Sequence, residues 1–300
     1  MILLVGGVLV AWLVAIRLLL GNADVGPVKP NPEADLVAIK LPLGNADVGP
    51  PVGPLLKPIT CARDEKLEGA TCVPRCPDGT RFIQGTGKYD FTTRGEQRKI
   101  DDFCLDTTEV TVKAFRALSE ESFAKSKTQL WAGLNDKYCN ARYTNREDHP
   151  MNCVDWEQAS THCGGVGGRR LPTEWEWEWA ARGRDEGREY PWGNDPPTCD
   201  RAIFSLDSVD GCKEDRTWPV GSLKPESSDS KDGLHDMSGN VWEWTSSSYD
   251  GTDSKDSTRV LRGGGWRNDD AAYLRVSYRL RNTPTSRDFA AGFRCARTPL

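Results

Sequence analysis

The chain has 300 residues, enough for one large domain or two small ones, and a net charge of −5. An acidic chain argues against nucleic acid as the main partner, because nucleic-acid binding relies on clustered lysine and arginine. Only 37% of the residues are hydrophobic, yet 11 tryptophans, 29 glycines and 19 prolines are present. This mixture favours a loop-rich fold built around large aromatic side chains over a helix bundle or a regular β-sandwich.

An apolar segment opens the chain from Ile2 to Ile16 and continues past Arg17 into three leucines. Its length suits the core of a signal peptide and is marginal for a membrane-spanning helix. Residues 1–23 are therefore predicted to be a cleaved signal peptide or a membrane anchor, with residues 2–20 as the anchoring segment. No basic residue precedes the apolar run, and the positive-inside rule alone would place the following chain in the cytoplasm. The cysteine content described below favours export instead.

A segment rich in proline and glycine follows over residues 24–60 and overlaps a duplication. Val14–Pro27 and Val37–Pro50 differ at only two positions. Two units of this size cannot bury a core between them. We therefore expect an extended tether, then a cysteine-rich lead-in over residues 61–76, and then one domain over residues 77–300.

The chain has ten cysteines, an even number, and none of them forms the Cys-x-x-Cys knuckles that are typical of structural zinc sites. Disulfide bonds made in an oxidising compartment are the natural explanation. The sequence thus predicts an exported protein, located in a periplasm, in a cell envelope or outside the cell. Proximity along the chain suggests the pairs Cys139–Cys153 and Cys199–Cys212.

Short strands and helices are expected to alternate along the domain. A strand is predicted at Thr80–Gln84, and a helix with Phe115 on its inner face follows further along the chain. Another helix is predicted at Glu174–Arg182, because Thr173 and Glu176 have the spacing of a capping box.

The segment His235–Trp244 holds two acids seven residues apart, Asp236 and Glu243, on either side of a Gly-Asn turn. After the turn, Trp242 and Trp244 alternate with Glu243, which predicts a short strand whose tryptophans share one face. Two carboxylates beside turn carbonyls are suitable ligands for a hard cation such as calcium. The alternative is that Asp236 caps a turn and Glu243 pairs with an arginine.

Seven motifs occur in the order found in one enzyme family. They are Thr-Glu-Val-Thr at 108–111, His-Pro-Met-Asn-Cys-Val-Asp-Trp at 149–156, Arg-Leu-Pro-Thr-Glu-Trp-Glu-Trp-Glu-Trp-Ala-Ala-Arg-Gly at 170–183, Tyr-Pro-Trp-Gly at 190–193, Gly-Leu-His-Asp-Met-Ser-Gly-Asn-Val-Trp-Glu-Trp at 233–244, Arg-Gly-Gly-Gly-Trp at 262–266 and Gly-Phe-Arg-Cys at 292–295. With these motifs, residues from about 77 to 300 resemble the formylglycine-generating enzyme family, also called the sulfatase-modifying factor domain. The resemblance implies a loop-rich α+β fold related to C-type lectins, stapled by disulfides that include Cys163–Cys295.

Enzymes of this family use oxygen to convert a cysteine of a sulfatase into formylglycine, and they hold copper(I) with two cysteines. Asn268 and Tyr273 stand at the matching positions, and no cysteine lies between Cys212 and Cys295. Neither side chain replaces a thiolate as a ligand for copper(I), which is a soft ion. Copper is therefore not expected, and no catalytic residue is assigned. The alternative is an enzyme of another kind, either an atypical oxidase or a different reaction in the same groove.

The resemblance also implies a structural calcium site. Its ligands would be the side chains of Asp236 and Glu243 and the backbone carbonyls of Gly239 and Val241. A second calcium site of the family retains Asp210 here but loses an asparagine ligand, which weakens it.

The three histidines, His149, His162 and His235, do not have the paired spacing of metal ligands. An iron site would also need a carboxylate beside two of them. His149 and His235, which lie in motifs of the resemblance, are interpreted as structural residues that hydrogen-bond near turns.

The leading hypothesis is a non-catalytic binding module that is exported or tethered to a membrane, and whose groove takes an extended peptide or another protein. The candidates to line this groove by motif position are Arg262, Trp266, Asn268, Tyr273 and Arg279. Tryptophan, tyrosine and arginine are frequent in recognition surfaces. The alternative is that Trp266 is part of the core and the arginines pair with acids. A further hypothesis is a structural component of the cell envelope.

Overall fold

The computed structural model describes residues 59–69, 71–87, 91–93, 95–122, 137–165, 167–252, 254 and 257–300. The chain divides after Pro58, and all described residues belong to the compact unit Ile59–Leu300. The predicted signal or anchor segment, and the tether with its duplication up to residue 58, lie outside the described residues. Within the described ranges, no helix is both long enough and apolar enough to cross a membrane.

Short strands and a few helices make up the described part of the chain. The strands are β1 (Glu65–Glu68), β2 (Thr71–Pro74), β3 (Thr80–Ile83), β4 (Phe91–Thr93), β5 (Glu96–Arg98), β6 (Phe103–Asp106), β7 (Arg169–Arg170), β8 (Trp242–Ser248), β9 (Arg259–Arg262), β10 (Leu280–Asn282), β11 (Ala291–Gly292) and β12 (Ala296–Arg297). The α-helices are α1 (Val112–Ser122), α2 (Trp156–Gly164), α3 (Glu174–Ala181) and α4 (Pro225–Ser228). Single 3₁₀ turns occur at Asn140–Arg142, Arg184–Glu186, Asp210–Lys213 and Ala271–Leu274.

Two four-stranded sheets carry the fold. One has the order β10-β9-β8-β11, antiparallel except for the parallel pair β8 and β11. The other has the order β3-β6-β12-β7 and is antiparallel throughout. The chain crosses between the sheets near its C-terminus, where β11 and β12 follow one another. The predicted α+β, loop-rich and disulfide-stapled fold is confirmed.

Helix α3 begins as the sequence predicts. The Thr173 hydroxyl accepts a hydrogen bond from the backbone N–H of Glu176, at 3.1 Å, and the Glu176 carboxylate accepts one from the N–H of Thr173, at 2.8 Å. This reciprocal capping box satisfies donors that the first turn of a helix would otherwise leave unpaired. Gly183 adopts a left-handed conformation (φ 69°) just after the helix, which favours glycine at this stop.

All ten cysteines of the chain lie in the described part and form five disulfides: Cys61–Cys72, Cys76–Cys104, Cys139–Cys153, Cys163–Cys295 and Cys199–Cys212. The three pairs expected from proximity and from the resemblance are confirmed. The Cys163–Cys295 bond joins α2 to the C-terminal segment across a separation of 132 residues. The pair Cys76–Cys104 ties the lead-in to β6, so that the lead-in is attached to the domain.

The main core is aromatic. Trp242 and Trp244 lie in one buried cluster with Trp266 and Phe293. Glu243, between the two tryptophans, instead contacts Trp177 of a second buried cluster. The alternation along β8 therefore places the tryptophans on one face and the acid on the other, as predicted.

Candidate functional site

The two positions that hold copper-binding cysteines in the enzymes lie at a tight turn and on a 3₁₀ helix. The side-chain oxygen of Asn268 accepts a hydrogen bond from the Gly265 N–H at 2.7 Å, and the Asn268 N–H donates to the Gly265 carbonyl at 3.0 Å. Asn268 therefore closes its own turn. Tyr273 is half-buried and lies edge-on to Trp242 and Tyr278, with ring centroids 6.3 and 5.0 Å away. Neither residue offers a soft metal ligand.

Arg262, one of the predicted groove residues, is fully buried. Its guanidinium donates to the carbonyls of Val276 at 2.7 Å and Tyr278 at 2.6 Å, and forms a short ion pair with Glu178. Glu174 and Glu178 lie four residues apart on α3, and each side chain is only 2% exposed. Buried carboxylates require a partner charge. Arg262 supplies it, so the prediction that Arg262 lines a groove is wrong.

Trp266 is also fully buried, and its assignment to the groove is likewise wrong. Its ring packs against Tyr138 and Phe289, with centroids 5.1 and 5.9 Å away. Its Nε1 is buried and has no hydrogen-bond partner among the described residues. Arg279 is held by two contacts to Glu174, at 2.6 and 2.7 Å. At Arg262, Trp266 and Arg279 the structure agrees with the alternative interpretation, in which the tryptophan belongs to the core and the arginines pair with acids.

Two groups of half-buried aromatic rings lie near the Gly265–Asn268 turn: Tyr138 and Phe289 pack on Trp266 of the turn, and Tyr273 and Tyr278 pack on Trp242. We call the following residues the turn-flanking surface: Tyr138, Arg267, Tyr273, Tyr278 and Phe289. The Arg267 guanidinium lies 5.5 Å from the Tyr138 ring centroid and 5.4 Å from that of Phe289. Of these five residues, Tyr273 alone belongs to the predicted groove set; the other four add half-buried aromatic faces and a partly exposed cation near it.

Glu243 forms a buried ion pair with Arg294, and both side chains are fully inaccessible. Arg294 Nη2 donates to Oε1 and Arg294 Nε to Oε2, each at 2.8 Å, while Trp177 Nε1 donates to Oε2 at 2.8 Å. Both oxygens of this carboxylate are thus in use. The alternative that Glu243 pairs with an arginine agrees with these contacts.

Asp236 faces another buried acid, Glu109. The Asp236 carboxylate accepts a hydrogen bond from the Gly221 N–H at 2.6 Å, and the buried Oε2 of Glu109 accepts from no donor in the described part of the chain. When Glu109 is protonated, it hydrogen-bonds to Asp236. Burial, together with the charge of Asp236, raises the pKa of Glu109 well above its usual range. Burial also raises the pKa of Asp236.

The calcium ligand set fits these residues in part. The pair of buried acids Glu109 and Asp236 suits a hard cation, because a cation would neutralise both carboxylates in place of the proton they share. Glu243, however, is already neutralised by Arg294, and the carboxylates of Glu109, Asp236 and Glu243 do not converge within 4.8 Å of one another. Calcium at Asp236, Gly239, Val241 and Glu243 therefore stays a prediction. At the second, weaker site, Asp210 accepts from Arg267 Nε at 2.7 Å.

Comparison of the sequence with known proteins places the chain in a family. Residues 69–299 match the family model described as the sulfatase-modifying factor enzyme 1-like domain. The chain is 40% identical over 262 residues to the inactive C-alpha-formylglycine-generating enzyme 2 of Mus musculus, covering 73% of this chain and 83% of that one. It is 36% identical over 174 residues to the formylglycine-generating enzyme of Streptomyces coelicolor, covering 51% of this chain and 54% of that enzyme. It therefore spans only about half the length of the Streptomyces enzyme.

Among solved structures, the crystal structure of CarF superposes with a TM-score of 0.59 at 22% identity, covering 75% of this chain and 99% of that chain. At this identity the likeness shows the fold alone.

Proposed function

The chain belongs to the sulfatase-modifying factor family, and we propose that it is an exported, non-catalytic member that acts by binding a peptide or another protein. One observation carries the non-catalytic part: all ten cysteines are in disulfides, so no thiol is free to hold copper(I) or to react. Asn268 and Tyr273 make structural contacts at the two positions concerned. The mouse relative whose name includes the word inactive supports the same interpretation.

The binding part of the proposal rests on the turn-flanking surface. Its rings are half-buried, and Arg267 is fixed over two of them by an ion pair with Asp210 at 2.7 Å. Rigid aromatic and arginine side chains lose little conformational entropy when a ligand covers them, which makes them effective recognition residues. An extended peptide that crosses the Gly265–Asn268 turn would contact both sides of this surface.

Export is proposed because five disulfides persist only where the environment is oxidising. Residues 1–23 would direct the export, or would remain as the membrane anchor. A structural calcium ion is also part of the proposal, held by Asp236 and the carbonyls of Gly239 and Val241. Glu243 would contribute only by sharing its carboxylate with Arg294.

Selection of displayed peptides on the purified protein, followed by affinity measurement, tests the binding role. We expect enriched peptides whose affinity falls at least tenfold in Phe289→Ala and in Arg267→Ala. The matched control is Arg281→Ala, since Arg281 is exposed and contacts Tyr249 outside this surface. No enrichment, or equal binding by all three variants, would contradict the proposal. That result would favour a structural role in the cell envelope. The burial of Arg262 and Trp266 is compatible with such a role.

A further inference from the structure

Two exposed aliphatic side chains lie at the end of a short hairpin, which we call the hairpin tip (residues 206–209). Leu206 is 37% exposed and Val209 is 42% exposed. The Leu206 N–H donates to the Val209 carbonyl at 3.1 Å, and the Val209 N–H donates to the Leu206 carbonyl at 3.0 Å. Residues that face each other across an antiparallel pair place their side chains on the same side. The leucine and the valine therefore form one apolar patch that is open to solvent.

The turn within the hairpin tip has a conformation that its residues disfavour. Asp207 and Ser208 both have a positive φ, 54° and 64°. Two-residue hairpin turns of this kind favour glycine, which adopts positive φ without a steric penalty. Here the conformation is held from outside, by the Cys199–Cys212 disulfide and by a hydrogen bond from the Cys212 N–H to the Phe204 carbonyl at 2.9 Å. Backbone strain that the surrounding structure maintains is frequent in segments that contact a ligand.

Both legs of the hairpin are fixed to the turn beside the turn-flanking surface. The Ser205 N–H donates to the Asn268 carbonyl at 2.9 Å, and the Gly211 N–H donates to the Trp266 carbonyl at 2.8 Å. Asp210, directly after the hairpin tip, pairs with Arg267 of the turn-flanking surface at 2.7 Å. Consecutive Cα atoms are only about 3.8 Å apart, so the hairpin tip begins one residue away from these contacts on each side. The hairpin tip and the turn-flanking surface are therefore neighbours.

The segments that carry the hairpin tip have a surplus of negative charge. Asp207, Asp215, Asp269 and Asp270 are exposed, and none of their carboxylates forms an ion pair in the described part of the chain. Over residues 205–215 and 266–270, Lys213 is the one basic residue without an ion pair among the described contacts. A partner with complementary, positive charge is favoured at such a surface. A second copy of this chain is disfavoured, because a two-fold contact would place acids against acids.

We propose that the hairpin tip extends the peptide-binding surface and selects a basic segment of another protein that carries an apolar side chain. This inference rests on the proposed function, because the rest of the segment would lie on the turn-flanking surface. The apolar side chain packs on Leu206 and Val209 and removes their exposed surface from water. Lysine or arginine side chains of the segment pair with Asp207 and Asp269. The hairpin tip is already ordered, so it loses little conformational entropy when the segment binds.

Three pentapeptides with acetylated and amidated ends test the chemistry of the partner by isothermal titration calorimetry at low ionic strength. Lys-Leu-Lys-Phe-Lys has the proposed charge and apolar side chains. Glu-Leu-Glu-Phe-Glu reverses the charge, and Lys-Ser-Lys-Ser-Lys removes the apolar side chains. We expect saturable binding of the first peptide and at least tenfold weaker binding of each of the others. The inference is overturned if the first peptide does not bind, or if either of the others binds equally well.

Substitutions at exposed positions test the contact without changing the core. Leu206→Ser combined with Val209→Ser should weaken binding of the basic apolar peptide at least tenfold. The matched control is Leu67→Ser, at a position that is 39% exposed on β1, and it should leave the affinity unchanged. Unchanged affinity in the double variant would overturn the inference. Sedimentation analysis gives a further check: a dimer that dissociates in the double variant would identify a second copy as the occupant, which also overturns it.

Phe289→Ala separates this inference from the proposed function. We expect the affinity for the basic apolar peptide to depend both on Phe289 and on the hairpin tip. If the affinity depends on Phe289 alone, the turn-flanking surface binds the peptide by itself, and only the inference on the hairpin tip fails. If the affinity depends on neither, both fail.

Discussion

The buried pair Glu243–Arg294 allows a quantitative test of how the segment His235–Trp244 is held. Glu243→Gln preserves the shape of the side chain and one carbonyl oxygen, which can still accept from Trp177. It removes the negative charge and places an N–H₂ group against a guanidinium that is fully buried. Arg294 would then keep its Nε contact to the remaining oxygen and its contacts to backbone carbonyls, such as that of His235 at 2.8 Å, but it would have no compensating charge.

Breaking one side of a buried ion pair costs about 3–5 kcal/mol, because the remaining charge is left without compensation. For a domain of this size, each kcal/mol corresponds to roughly 2–4 °C, so the melting temperature should fall by roughly 6–20 °C. Urea unfolding with disulfides intact, followed by tryptophan fluorescence, measures the free energy directly.

Glu147→Gln is the matched control. Glu147 pairs with Arg116 at 3.0 Å, but the side chains are 49% and 29% exposed. Its loss should cost less than about 1 kcal/mol. Equal, small losses in Glu243→Gln and Glu147→Gln would refute the buried-pair interpretation. Repeating the comparison in calcium and in EGTA distinguishes a charge partner of Arg294 from a calcium ligand. If Glu243 acted only as a calcium ligand, Glu243→Gln would be less stable than the unmodified protein only when calcium is present.

Three further predictions concern a disulfide, a histidine and calcium. Replacing Cys163 and Cys295 together by alanine opens a loop of 132 residues and should lower the free energy of unfolding by about 5 kcal/mol in the chain-entropy model; a urea-measured loss under about 2 kcal/mol would contradict it. Burial lowers the pKa of His162 to about 4, so the folded state binds a proton less readily than the unfolded state. The contribution of neutral His162 to the free energy of unfolding is therefore complete above about pH 6.5 and is lost as the pH falls toward 4. The free energy of unfolding of His162→Phe, relative to that of the unmodified protein, should therefore rise by about 2 kcal/mol as the pH falls from 7.5 to 5. A difference that does not change with pH would contradict the assignment of this pH dependence to His162. EGTA should lower the melting temperature of the unmodified protein but not that of Asp236→Ala, and the calcium proposal fails if EGTA has no effect on either.

Local features were predictable because short-range chemistry determines them. The capping box of Thr173 and Glu176 needs only a three-residue spacing, and the alternation around Glu243 needs only a strand. The Cys163–Cys295 bond came from the family resemblance, since 132 residues separate its ends.

The burial of Arg262 was not predictable from its motif position, because it depends on which elements pack against β9. One signal was present: Glu174 and Glu178 are four residues apart on a tryptophan-rich helix, and two acids on one buried face demand a cation. The contact of Asn140 with Thr217 had no such signal, because the two residues lie 77 apart in sequence and meet only in the folded chain.

The central claim, a family member without oxidase chemistry, is tested most directly by turnover. The protein would be incubated with copper(I) and a Cys-x-Pro-x-Arg peptide in air, with the same copper concentration without protein as the background. We predict that the peptide thiol disappears no faster than in that background, because no free thiolate holds the metal. Faster, oxygen-dependent loss of the peptide thiol, with aldehyde as the product, would contradict the account.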